Sequence, residues 1–130
     1  MSYLVKIKTS IKNKEDLVEA LENMGFKVEQ KENMEITIWR DYKAKVDIRV
    51  SGKKFNHTFG FRKNDYDGVY ELCADDMWRV SKDMQWQSEL KQEVSLIRVK
   101  KVCKSQGFTV TKTNKQKDGT LHVLATQSGF

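Results

Sequence analysis

The feature that most constrains the fold is a two-residue hydrophobic alternation that runs through the middle of the chain. It is cleanest over 44–50, where apolar residues alternate with Lys45, Asp47 and Arg49. This period places every second side chain on one face, which is typical of a half-buried β-strand. The same alternation recurs in three further segments, which are 5–9, 36–39 and 55–61, and a further strand is predicted over 69–74. Turn-forming residues at 64–68 predict that the last two of these strands pair antiparallel.

Two segments carry helical periodicity instead. Over 14–24 the apolar residues recur three and four positions apart, and Asn13 offers its side chain as an N-cap. A longer helix is predicted over 86–106. Its apolar residues occupy two faces, so we expect it to bury more than one side or to change its contacts along its length.

The two helix ends share one local pattern. Gly25 and Gly107 each follow a helix and precede a phenylalanine, a polar residue and a valine, which defines an internal echo between 14–30 and 88–113. We expect positive φ at both glycines, because a left-handed residue commonly ends a helix. A duplication and the convergent use of one capping motif explain the echo equally well.

Together these elements predict one α+β domain spanning residues 1–130. Its centre is a twisted antiparallel sheet of about six to eight strands, with two main helices packed on one face. The strands include a short one at 26–29 and a hairpin of 109–113 and 120–125 around Asp118 and Gly119. The predicted core residues are Ile7, Leu21, Phe26, Val46, Ile48, Phe59, Phe61, Leu72, Val99 and Phe108.

Length and composition exclude several classes of protein. The chain has 130 residues, the length of one ordinary domain, and its two cysteines fit a reducing compartment. It contains no run of 18 apolar residues, so no transmembrane helix is expected. Lys6 interrupts the short apolar run at the start, which argues against a secretory signal. We therefore expect a cytoplasmic protein without a membrane partner, and the oligomeric state stays open.

The net charge of +6 is concentrated near the C-terminal end. Residues 101–130 carry five lysines and one aspartate, a balance of +4. These five lysines and Lys100, which precedes them, form the basic C-terminal segment. Its members are Lys100, Lys101, Lys104, Lys112, Lys115 and Lys117. Because the segment spans a helix end, a strand and a loop, its charges can converge and attract an acidic protein surface or phosphate. The alternative is a set of separate, solvated lysines.

A second candidate surface is the central block around the 64–68 turn. Its members are Arg62, Asn64, Tyr70, Glu71, Asp75, Trp78 and Arg79. An arginine among carboxylates can hold a polar ligand by paired hydrogen bonds. The alternative is a cross-strand ion pair between Arg62 and Glu71, with Trp78 capping the core. The adjacent acids Asp75 and Asp76 are more typical of a turn or helix start than of a general acid–base pair.

Other side chains give weaker signals. The soft metal ligands are His57, Cys73, Cys103 and His122, and none has a close-spaced partner, so no metal is expected. Sheet pairing could bring His57 near Cys73, but nothing indicates a base held against the thiol of a nucleophile.

Aromatic residues and glycines give no motif for nucleic acids or cofactors. The aromatic residues of the middle region are Phe55, Phe59, Phe61, Tyr66 and Tyr70. Because three phenylalanines share one strand face, core packing explains them better than a base-stacking platform. The sequence contains no phosphate-binding glycine loop, and no cofactor is predicted.

Several short blocks resemble a family of unknown function found in cyanobacteria, plastids and phages, typified by hypothetical chloroplast reading frame thirty-five. The start carries MSY (1–3), IKT (7–9) and the helix 14–25, and the centre carries FGFRKN (59–64), GVYEL (68–72) and AD (74–75). The end carries QGFTV (106–110) and DGT (118–120). Relatives tend to have a tryptophan pair and a glycine where this chain has Asp76, Met77, Trp78 and Arg79. The resemblance implies a small domain in the cytoplasm, the plastid stroma or, for a phage, the host cytoplasm. It implies no established activity, cofactor or catalytic residue.

These observations favour a non-enzymatic binding or adaptor protein that docks on a larger protein partner. The reason is that no catalytic constellation is visible in the sequence. Two alternatives stay open. One is a nucleic-acid-binding module that uses the basic C-terminal segment, and the other is a small enzyme or metabolite binder that uses the central block.

Overall fold

The computed structural model describes residues 3–117 and 120–127. In chain order its elements are β1 (Leu4–Lys8), α1 (Lys14–Asn23), β2 (Lys27–Glu29), β3 (Met34–Trp39), β4 (Tyr42–Val46), β5 (Ile48–Ser51), β6 (Phe59–Lys63), β7 (Tyr70–Asp75), α2 (Arg79–Lys82), α3 (Met84–Ser105), β8 (Phe108–Lys115) and β9 (Leu121–Gln127). The predicted α+β class, with an antiparallel sheet and two main helices, α1 and α3, is confirmed. The predicted turn residues Asp118 and Gly119, and Met1 and Ser2 of the first resembling block, lie outside the described residues. Among the described helices, none combines the length and the apolar character that crossing a bilayer requires.

The nine described strands form three antiparallel sheets. The main sheet has the order β1–β7–β6–β5–β2, while β3–β4 and β8–β9 are separate hairpins. At the centre of the main sheet, Phe61 pairs with Ile48 on one side and with Leu72 on the other, so these three buried side chains share one face. The helices pack over this face, where Trp86 of α3 lies 5.6 Å from the ring of Phe59.

The β3–β4 hairpin covers part of the opposite face of the main sheet. At Gly60 on β6, an added Cβ atom would lie 2.5 Å from Cγ1 of Val46 on β4 and 2.7 Å from the carbonyl oxygen of Ile48. Such distances are too short for any side chain. The glycine therefore allows the hairpin to lie directly against the sheet.

The strand predicted over 44–50 is wrong as a single strand, because the chain passes from one sheet to another at Asp47. Here β4 belongs to the hairpin and β5 to the main sheet. The Asp47 N–H donates to the carbonyl oxygen of Phe61 at 2.9 Å, and the Asp47 carboxylate accepts from the Lys63 N–H at 2.8 Å. These two bonds hold the bend. The hydrophobic alternation continues through the bend because β4 and β5 each bury one face.

The strand predicted over 55–61 begins later than expected. Residues 52–58 form a loop, and β6 begins at Phe59. Phe55 is nevertheless buried, because its ring centroid lies 5.2 Å from that of Trp86 and 6.2 Å from that of Phe26. Aromatic packing, and not strand pairing, therefore fixes this part of the loop.

Most of the predicted core is confirmed. Seven of the ten residues are buried, which are Leu21, Phe26, Val46, Ile48, Phe59, Phe61 and Leu72. The prediction is wrong for Ile7 and Val99, which are half-buried, and for Phe108, which is 38% exposed. Ile7 lies on an edge strand, Val99 follows the last core residue of α3, and Phe108 begins a hairpin outside the main sheet.

The two predicted glycine caps are confirmed, with φ of +92° at Gly25 and +81° at Gly107. At the first cap, the Gly25 N–H donates to the carbonyl oxygen of Glu22 and the Phe26 N–H to that of Leu21. Both distances are 3.0 Å, and the pattern is that of a Schellman motif. The chain then takes different courses. After Gly25 it enters the main sheet as β2, whereas after Gly107 it enters the separate β8–β9 hairpin.

Candidate functional site

The basic C-terminal segment extends over the end of α3 and along β8. Two of its six lysines are held by acidic residues from elsewhere in the chain, Lys101 by Asp16 and Lys115 by Glu93. Neither acid is near these lysines in sequence. The tertiary fold therefore supplies counter-charges that the local sequence lacks.

Lys101 is part of the contact between the two main helices. Its Nζ donates to Oδ1 of Asp16 on α1 at 2.5 Å, and Asp16 is only 2% exposed. The hydrogen bond to this carboxylate raises the pKa of Lys101 above its usual value, against a smaller opposing effect of desolvation. Lys101 also lies 3.8 Å from Glu19. It therefore compensates a buried carboxylate and joins α1 to α3.

Lys115 joins the hairpin to α3. Its Nζ lies 3.1 Å from Oε2 of Glu93. Beside it, Nε2 of Gln92 donates to the carbonyl oxygen of Gln116 at 3.3 Å. Both contacts hold β8 and the loop that follows against the helix.

These contacts compensate two of the six charges within the chain, and the convergence of the six on one side stays a prediction. The remaining lysines are exposed and form no ion pair within the part of the chain that the structure describes: Lys100, Lys104, Lys112 and Lys117. We call these four the unpaired lysines. Two of them lie one turn apart on α3, one lies on β8, and one follows β8.

Apolar side chains are exposed among the unpaired lysines. Leu124 on β9 lies directly opposite Lys112 and is 56% exposed, while Val102 and Phe108 are also exposed. Along β9, Leu121, Val123 and Ala125 are half-buried and alternate with exposed residues. The hairpin thus has an inner face toward α3 and an outer face that presents Leu124 and Lys112 to solvent.

The central block is not brought together as one site. Arg62 and Glu71 lie directly opposite each other on β6 and β7. Their side chains form no ion pair among the described residues, so only the cross-strand placement of that alternative is found. Tyr70, one position earlier, lies on the other face and is buried, and this desolvation raises the pKa of its hydroxyl. Asn64 shapes the turn, where its Oδ1 accepts from the Tyr66 N–H at 2.8 Å.

Asp75 of the central block and its neighbour Asp76 organise the chain before α2. The buried Asp75 carboxylate accepts from the Met77 N–H at 2.8 Å, and its carbonyl oxygen accepts from the Ser81 hydroxyl. The Asp76 carboxylate accepts from the Tyr3 N–H at 3.1 Å. These are the contacts expected of a turn and helix start.

Trp78 packs against His57, with ring centroids 4.5 Å apart and planes 4° from parallel. Trp78 is buried at the edge of the core, as the capping alternative requires, while Arg79 is exposed on α2. A polar depression of about 450 Å³ opens beside the stack. Its arginine, Arg49, donates from Nε and Nη2 to both oxygens of Glu29, at 3.3 and 2.9 Å, and these bonds lower the pKa of Glu29. Arg49 is therefore satisfied within the chain.

The histidines and cysteines do not converge. His57 stacks on Trp78, whereas Cys73 is buried opposite Gly60 and Lys6 in the main sheet. Desolvation raises the pKa of the Cys73 thiol to about 11. Within residues 3–117 and 120–127, no three histidine, cysteine, aspartate or glutamate side chains lie close enough to hold a metal ion. Because its pKa is raised, the Cys73 thiol is protonated at neutral pH and is a poor nucleophile.

The aromatic residues of the middle region belong to the core rather than to a stacking platform. Phe55, Phe59, Phe61 and Tyr70 are buried, and Tyr66 alone among the five is fully exposed, at the tip of the 64–68 turn. Core packing is thus confirmed for the three phenylalanines.

Sequence reasoning missed an exposed aromatic pair at the tip of the β3–β4 hairpin. Trp39 and Tyr42 are paired across the strands and are 50% and 48% exposed. Arg40, between them, has φ of +48° and places its guanidinium carbon 5.5 Å from the Trp39 ring centroid. The sequence pattern could have indicated this exposure, because Trp39 lies two residues after Thr37 and therefore on the same, exposed face of β3.

A comparison with protein families identifies a relationship over most of the chain. The family model described as "Protein of unknown function (DUF1257)" matches residues 20–124, which span α1 to β9. No curated protein matches the chain, and no solved structure matches it. The match confirms the resemblance to a family of unknown function at this coarser level. Because it covers well over half of the residues, the chain belongs to the DUF1257 family.

Proposed function

We propose that this protein is a non-enzymatic binding protein that docks on a larger protein through the outer face of its C-terminal hairpin and the adjoining end of α3. The observation that carries the proposal is the exposed Leu124 directly opposite the unpaired Lys112. An apolar side chain beside an uncompensated charge fits a partner surface that is apolar at its centre and acidic at its rim.

The position of the hairpin supports the same proposal. Among the described strands, β8 and β9 pair only with each other, which leaves their outer backbone edges without a neighbouring strand. Unpaired edges are sites where another chain can add by backbone hydrogen bonds. The unpaired lysines around the edges favour an acidic partner and disfavour a second copy of this basic chain.

Nucleic acid is the second candidate partner, because the four unpaired lysines would attract phosphate groups as well as carboxylates. A metabolite-binding role for the central block has less support, since Tyr70 and Arg62 lie on opposite faces of the sheet. We further propose that the chain is of the plastid reading-frame thirty-five type and acts in the cytoplasm, or in the stroma of a plastid.

Affinity purification of the intact protein from its native host, with and without nuclease, separates the two partner classes. A stoichiometric protein that survives nuclease treatment is then purified, and its dissociation constant is measured directly. Loss of every partner after nuclease treatment would instead identify nucleic acid as the ligand.

The surface is tested with a charge-reversal variant that combines Lys104→Glu, Lys112→Glu and Lys117→Glu. Lys115 is left unchanged, because a glutamate there would face Glu93 and disturb the hairpin. We expect the purified partner to bind this variant at least about tenfold more weakly. In the parent protein, the dissociation constant should rise steeply with salt concentration. The matched control is Arg62→Glu with Arg79→Glu, which changes two exposed charges elsewhere. If the control abolishes binding and the lysine variant does not, the contact lies at the central block.

A further inference from the structure

A cavity of about 450 Å³ lies between the loop that precedes α1 and the middle of α3. The loop contributes residues 10–13, and α3 contributes Lys91, Val94, Ser95 and Arg98. These positions follow the helical spacing of three and four residues, so they form one face of α3. The volume falls within the range of small-molecule sites.

The lining carries an excess of positive charge. Lys12 comes from the loop, whereas Lys91 and Arg98 come from α3, and the one acidic residue of the lining is Asp16. Lys101, which is not part of the lining, already compensates Asp16 at 2.5 Å. Arg98 Nη1 stays 3.8 Å from Asp16 Oδ2, beyond hydrogen-bond distance, so its guanidinium retains donors for a ligand.

Neutral groups in the same lining complete a binding site. Ile11 and Val94 are buried and provide apolar surface. Asn13 uses its Oδ1 to accept from the Asp16 N–H at 2.9 Å, and this leaves its amide N–H groups as donors. The Ser95 hydroxyl lines the cavity as well. Cations and neutral donors around an apolar patch suit an anionic head group attached to a less polar body.

We propose that this cavity binds a small phosphomonoester, with its phosphate held by Arg98, Lys91 and Lys12. A dianion matches three cations around one cavity better than a single carboxylate does, and a guanidinium binds phosphate oxygens in bidentate fashion. The body of the ligand packs on Ile11 and Val94. No lining residue belongs to the C-terminal hairpin, so this site is independent of the proposed protein contact.

The test uses the full-length, isotope-labelled protein in nuclear magnetic resonance titrations at constant ionic strength. The probes are AMP, inorganic phosphate, and adenosine as the analogue without phosphate. We expect saturable shifts of the amide signals of residues 10–13 and 91–98 with AMP, weaker binding of inorganic phosphate, and none of adenosine. Lys91→Gln and Lys12→Gln should each weaken AMP binding about tenfold, the effect of losing one charge-assisted hydrogen bond.

The control is Lys43→Gln, an exposed lysine of β4 outside the cavity, which should change the affinity by less than about twofold. Three outcomes overturn the proposal. They are the absence of saturable shifts, equal responses to AMP and adenosine, and equal weakening by Lys43→Gln and Lys91→Gln. Amide spectra of each variant without ligand verify that it is folded. Failure here leaves partner binding by the unpaired lysines untouched, so the two proposals are separable.

Discussion

At the scale of single residues, burial sets the chemistry of Cys73. The thiol lies in the middle of the main sheet, and desolvation outweighs the nearby charges, so that its pKa rises from 9.0 to about 11. Cys103, near the end of α3, is only half-buried. The two cysteines therefore differ in burial because of their positions in the fold.

We expect native Cys73 to resist alkylation at pH 8, with a thiolate fraction about a hundredfold below that of an ordinary cysteine. Because the unfolded state loses this proton first, the shift also lowers the free energy of unfolding as the pH rises from 9.0 towards about 11. Mass spectrometry of the protein after brief iodoacetamide treatment measures the first effect, with Cys103 as the internal control. Rapid native labelling of Cys73 would contradict the structure.

Gly60 is a second residue whose surroundings decide its role. A methyl group there would meet Val46 on the hairpin and the backbone of Ile48 together, and backbone atoms do not give way easily. Gly60→Ala should lower the free energy of unfolding by about 1–3 kcal/mol, the usual result of overpacking. Denaturant unfolding measures the loss, and Gly60→Ala in a Val46→Ala background should recover part of it. Full stability of the single variant would show that the hairpin is not pressed against β6.

At the scale of elements, each main helix ends at a left-handed glycine. An added Cβ at Gly25 or Gly107 would meet nothing within 4 Å, so the effect of alanine comes from φ alone. Gly25→Ala and Gly107→Ala should each lower stability by about 1–2 kcal/mol, the strain of a left-handed alanine. Asparagine at the same positions should lower it less, because its side chain tolerates this conformation. Unfolding midpoints in urea should decrease from glycine to asparagine to alanine at each position. Equal midpoints for alanine and glycine would refute the prediction.

At the scale of the whole molecule, the hydrophobic core and the proposed protein contact occupy different parts of the chain. The main cluster of buried apolar residues ends at Ile97 on α3 and includes none of the described residues of the C-terminal hairpin. The hairpin is held to α3 by half-buried side chains, with the Lys115–Glu93 ion pair beside them. It can therefore respond to a partner without disturbing the main sheet.

We expect amide hydrogen exchange to separate these two parts. Because a two-stranded hairpin with an exposed outer face opens locally, amides of β8 and β9 should have protection factors at least about tenfold below those of β5, β6 and β7. Exchange measured by nuclear magnetic resonance tests this directly. Equal protection would mean that the hairpin unfolds only with the core.

The sequence by itself determined the local features of this protein. Helix caps at Gly25 and Gly107, the buried face of Phe59 and Phe61, and the α+β class follow from spacing and backbone sterics, which act over a few residues. Tertiary structure alone decided where the chain leaves one sheet for another at Asp47. It also decided which lysines are neutralised, because Asp16 lies far from Lys101 in sequence yet only 2.5 Å away in space. Periodicity reports which side chains are buried, whereas the partner that buries or neutralises each one depends on contacts between distant segments.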